Sequence, residues 1–105
     1  MKLLTKAIIK QLPALGATDD QGTQALAQVK FFTPDSSWTW YAAEFDAKDI
    51  FYGLVIGHYK EYGTFSLSEL QSVRGALRLP VERDRHFRPT PLGALSEQYP
   101  NVPEG

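Results

Sequence analysis

LAQVKFFTPDSSWTWYAAEFDAKDIFYGLVIGHY, residues 26–59, decides the fold. Three runs rich in aromatic and β-branched side chains, 26–33, 37–45 and 50–59, are separated by residues that favour turns. Pro34, Asp35 and Ser36 make the first connection; Asp46, Ala47, Lys48 and Asp49 make the second. Both are too short for the crossover that parallel pairing needs, so the runs predict an antiparallel meander. Lys60, Glu61 and Gly63 read as a third polar turn, after which Thr64 and Phe65 add a brief fourth strand.

Outward from this centre, Thr5 is placed to cap a short helix carrying Leu4, Ile8, Ile9 and Leu12, which Pro13 and Gly16 stop. Residues 17–23 have little to bury and read as an exposed loop tolerant of length changes. Ser66 with Glu69 matches a capping box, and Leu67, Leu70 and Val73 supply the apolar stripe of a second helix closed at Arg74 and Gly75. Pro80, Pro89, Pro91, Pro100 and Pro103 oppose long regular elements, and the tail from about Leu95 is expected to be loose. The predicted architecture is a small single α+β domain over 1–105: a three- to four-stranded antiparallel β-meander, two short helices and a Pro-rich C-terminal segment.

A chain of 105 residues has room for one core. With 43% hydrophobic and 22% charged residues it lies far from the composition of disorder. The absence of cysteine rules out disulfides and thiolate metal sites and suits a reducing cytoplasm. MKLLTKAIIKQLPAL begins like a signal peptide, but Lys6 and Lys10 interrupt the apolar run, and no window approaches the roughly 20 apolar residues of a membrane span. A net charge of −1 argues against a phosphate-neutralising surface, although the charge is uneven. Five acidic residues between Asp35 and Glu61 face two lysines, whereas Arg74, Arg78, Arg83, Arg85 and Arg88 are accompanied only by Glu82 and Asp84.

Strict alternation along WTWYAAEFD puts Trp38, Trp40 and Ala42 on one face and Thr39, Tyr41, Ala43 and Phe45 on the other. Both faces need cover, one from the helices and the other from the C-terminal segment. Trp38, Trp40, Tyr52, Tyr59 and Tyr62 are candidate aromatic contacts for a partner, and the five arginines are candidate electrostatic contacts. The plainer expectation for those arginines is pairing with Glu82, Asp84 and Glu69. Glu44, Asp46 and His58 form the least implausible acid/base set, although carboxylates flanking a hairpin turn are ordinarily solvated. Serine contexts, glycine spacing and the two histidines match no nucleophile, phosphate-loop or zinc signature, so no catalytic residue, metal ligand or cofactor is assigned.

The segments KLLTKAIIKQLP, VKFFTP, WTWYAAEFD, FYGLVIG, GTFSLSEL, VRGALRLPVERD and FRPTPL, taken in order, resemble a bacterial family catalogued as domain of unknown function 2958. The resemblance runs almost end to end. It implies a setting on plasmids, integrative elements or phage-related regions, and it supplies no activity and no site residues. Small mobile-element proteins without catalytic signatures are often counter-defence factors. The expected function is therefore a non-catalytic binding protein that occludes a surface on a protein partner, of anti-CRISPR or anti-restriction type. An enzyme using Glu44, Asp46 and His58, or a module stacking nucleic-acid bases on aromatic strand residues beside arginines, are the alternatives.

Overall fold

The computed structural model describes residues 2–105. Its centre is an antiparallel sheet of five strands in the order β5-β4-β3-β2-β6, built from β2 (Val29–Phe32), β3 (Thr39–Phe45), β4 (Ile50–Ile56), β5 (Lys60–Ser66) and β6 (Glu82–Arg83). The meander is present, with two changes of extent. The expected third turn at Lys60–Gly63 lies inside β5, and the reversal is made by Gly57, His58 and Tyr59, with the Gly57 N–H donating to the Tyr59 carbonyl. The Pro-rich segment contributes β6 to the far edge, and β1 (Leu26–Ala27) leaves the sheet to pair with β7 (Thr90–Pro91).

A bulge between Ala42 and Glu44 breaks the strict alternation of β3. Ala43 is the extra residue, so Phe45 turns onto the face of Trp40 and Ala42 instead of that of Tyr41, correcting the assignment made from period two alone. Gly53 stands opposite Ala42, where a Cβ would lie 1.8 Å from the Tyr41 carbonyl oxygen, so the backbone approach at the bulge requires glycine.

Each sheet face carries its own core. On the first, Val29, Phe31, Trp40, Phe45, Phe51 and Phe65 pack against Leu3, Leu12 and Leu70. Phe51 stacks between Phe45 and Phe65, with ring centroids 4.4 and 5.1 Å away. This face is covered by α1 (Lys6–Gln11), capped by the Thr5 hydroxyl, and α2 (Leu67–Ser72), capped by that of Ser66. On the second face, Ala27, Tyr41, Ala43, Leu54 and Ile56 meet Leu92 and Leu95 of a third helix, α3 (Leu92–Glu97).

That helix corrects the expectation of a loose tail. Leu95 is buried, the Tyr99 and Tyr41 hydroxyls share a hydrogen bond of 2.6 Å, and Lys60 Nζ donates to the carbonyls of Ser96 and Tyr99. Burial, followed by the Tyr99 contact, pushes the Tyr41 phenol far above its ordinary range. Farther on, the Lys60 N–H donates to the Pro103 carbonyl and the Gly105 N–H to the Lys60 carbonyl, laying the tail parallel along the edge of β5. Residues 17–23 are likewise more than a loop: Asp19–Gln24 form 3-10 turns broken at Gly22, where φ is +55°, and Thr18 is buried against Glu44.

Candidate functional site

A groove of about 560 Å³ opens on the first sheet face, between β5 and the segment that follows α2. Trp38 and Trp40 form its aromatic side, their rings stacked with centroids 5.9 Å apart and an interplanar angle of 29°. Trp40 is 4% exposed and belongs to the core, so the half-buried Trp38 is the indole presented to the groove. Trp38 is held from two sides. Its ring lies over Gly57, where a Cβ would come within 2.4 Å of it, and His58 meets it edge-on at 5.6 Å.

Val55, Phe65 and Val73 complete the apolar lining, and Glu61, Glu69 and Arg74 stand around it. The wall formed by residues 74–76 is positioned by Asp35, whose Oδ2 accepts from the N–H groups of Leu77 at 2.6 Å and Leu79 at 3.3 Å. Gly75 fits directly against that carboxylate, leaving no space for a Cβ. A half-buried indole beside open apolar space has the character of a contact surface for an apolar or planar group.

The remaining aromatic candidates are not gathered there. Tyr52 pairs with Glu44 across the ladder and packs on the second face, where burial, then the charge of Glu44, raises its phenol above the ordinary range. Tyr59 is exposed in the β4–β5 turn, and Tyr62 lies exposed on β5 at the groove margin.

The arginines are dispersed too. Arg74 is at the groove, with its guanidinium donating to the carbonyls of Gln71 and Val73. Arg83 ties β6 to the N-terminal segment through the carbonyls of Lys2 and Leu3. Arg78, Arg85 and Arg88 are exposed and make no side-chain hydrogen bond among the described residues. The expected pairing of the series with Glu82, Asp84 and Glu69 does not occur; among the described residues the ion pair present joins Lys30 to Asp84 at 3.9 Å.

Glu44, Asp46 and His58 are not assembled into an acid/base set. Glu44 is 2% exposed, contrary to the solvated position expected, and accepts from the N–H groups of Gly16 (2.8 Å) and Thr18 (2.9 Å) and from the Thr18 hydroxyl. Burial would raise its carboxyl, but those three donors outweigh it and hold the group below its ordinary range. Asp46 lies in the turn beyond β3, where its Oδ1 accepts from the N–H groups of Lys48, Asp49 and Ile50 and its pKa is lowered by them. His58 is at the other end of β4, about 20 Å away for six residues of extended chain.

Glu61 and Gly63 are the groove residues that the sequence reading placed in a turn. A lone glycine within a run of strand-forming residues marks close approach or an open notch, and EYGTF carried that signal. A family model described as "Protein of unknown function (DUF2958)" matches residues 3–99. No curated protein and no solved structure matches the chain.

Proposed function

Because the chain belongs to the DUF2958 family, which carries no assigned activity, we propose its role from the groove: a non-catalytic binding protein that holds a protein partner over Trp38 and masks that partner's surface. One observation carries the reading, the half-buried indole fixed between Gly57 and His58 beside an unfilled apolar groove. An aromatic ring already immobilised loses little further freedom on binding, which is why such rings dominate interface energetics. The mobile-element setting implied by the resemblance makes a host defence protein, of restriction or CRISPR type, the partner proposed.

The acid/base alternative draws no support from Glu44, whose carboxylate is engaged by the distant Gly16 and Thr18, or from Asp46, which accepts from the N–H groups of its own turn. The exposed Arg78, Arg85 and Arg88 favour the nucleic-acid reading, and the net charge of −1 opposes it.

The test is affinity capture from a bacterial host carrying restriction and CRISPR systems, with wild type and Trp38→Ala compared at matched folded fractions. A stoichiometric protein partner should come down with the wild type and be lost with the variant, a change of about 2 kcal/mol or more for an interface anchor. Retention of the partner by Trp38→Ala contradicts the reading. Salt-sensitive retention of single-stranded nucleic acid, with no protein partner, replaces it by the nucleic-acid reading.

A further inference from the structure

Resting on that reading of the groove, we propose that the occupant is an extended peptide segment of the partner, added as a strand to the open edge of β5, with one large apolar side chain entering over Gly63 and a Lys or Arg facing Glu61 and Glu69.

The edge itself carries the first part. β5 is the terminal strand of the sheet and pairs with β4 from Ile50↔Ser66 to Ile56↔Lys60. In an antiparallel ladder, alternate residues direct both main-chain groups at the neighbour, and the residues between direct both away. The Lys60 N–H and carbonyl point away from β4, since both are bonded to the tail, and the Leu67 N–H points inward to the Asp49 carbonyl. Tyr62 and Thr64 share the phase of Lys60. Their N–H and C=O groups therefore face outward, and they form no main-chain hydrogen bond beyond the sheet among the described residues. Residues 103–105 already use this edge at Lys60, so it accepts an extended chain in the molecule's own packing.

The second part is the notch. Glu61, Gly63 and Phe65 alternate on the groove face of β5, and a Cβ built at Gly63 would meet nothing within 4 Å. An added strand would lie about 4.8 Å outside β5, and its side chain at that level would have the open space over Gly63 to enter, at the β5 side of the groove.

Charge supplies the third. Lys60 is turned away to the Ser96 and Tyr99 carbonyls, and Arg74 is held on carbonyls of its own segment. Glu61 and Glu69 line the groove without an ion pair among the described residues. The groove margin beside β5 thus offers carboxylates to a basic residue of the incoming strand.

Random linear dodecapeptides displayed on phage are the probe, selected on the wild-type protein and re-measured by isothermal titration with three variants. Gly63→Leu fills the notch without removing any packing. Thr64→Pro deletes an outward N–H at an edge position that tolerates proline. Glu61→Lys with Glu69→Lys reverses the charge. Selected sequences are expected to combine a large apolar residue with Lys or Arg, and each variant, melting within a few degrees of wild type, is expected to weaken them at least tenfold. Failure to enrich any peptide on wild type over Gly63→Leu overturns the proposal, and so does unchanged binding by Thr64→Pro. So does a wild-type dimer in light scattering that Thr64→Pro dissolves, which would make a second copy the occupant. If the captured partner depends on Trp38 while Thr64→Pro holds it normally, strand addition fails and the groove reading stands; if Trp38→Ala changes nothing, both fail.

Discussion

Glu44 illustrates how one residue's environment overrides its type. Its carboxylate joins β3 to the segment between α1 and the 3-10 turns, a connection that no local pattern announces because the partners are 26 and 28 residues away. Glu44→Ala leaves the N–H groups of Gly16 and Thr18 without their acceptor, and the expected loss is about 2–3 kcal/mol in urea denaturation. The folded carboxyl titrates below its unfolded value of about 4.3, so the unfolded chain takes up a proton first as pH falls. Glu44 therefore contributes fully above that value, and its contribution disappears as pH drops through the folded one. Denaturation midpoints measured from pH 7 to 3 should fall less steeply for Glu44→Gln than for wild type; parallel curves would show that the three donors do not stabilise the charged form.

At the scale of elements, the start of α2 shows what spacing reveals and what it omits. Ser66 caps the helix as read, with its hydroxyl accepting from the Glu69 N–H at 3.0 Å. The reciprocal bond, from the Ser66 N–H to the Glu69 carboxylate, is not made; instead Asp49, at the foot of β4, accepts from the N–H and hydroxyl of Ser68 in the first turn. Ser66→Ala and Asp49→Ala should each cost about 1 kcal/mol, and Glu69→Ala under about 0.5 kcal/mol, by shifts in denaturation midpoint. A Glu69→Ala loss as large as that of Ser66→Ala would restore the full capping box.

The central strands, their order and the α1 cap were legible because alternation, turn residues and cap residues are local signals. The five-stranded width was not, since β6 holds two residues between prolines, nor was the β3 bulge, which period two cannot register. The reversal at Gly57–Tyr59 was missed because the polar residues of EYG outweighed a glycine whose use is to seat Trp38. Trp38 was legible as a candidate; the notch at Gly63 depended on knowing that β5 is an edge strand, and that is a property of the sheet.

On the scale of the whole molecule, two cores clamp one sheet, and α1, α2, α3 and the tail cover most of both faces. The first face is left open at the Trp38 groove and the sheet edge is left open at Tyr62 and Thr64, side by side. Among the described residues no helix is long and apolar enough to cross a membrane. The central claim is that this corner is where a protein partner is held. Amide hydrogen exchange of the purified complex with the captured partner tests it most directly. The account predicts new protection strongest at residues 60–66, smaller at 36–40 and 73–76, and none around Tyr52 or Arg88. Protection concentrated on the second face or along Arg83–Arg88, with the amides of Tyr62 and Thr64 exchanging as in the free protein, would contradict it.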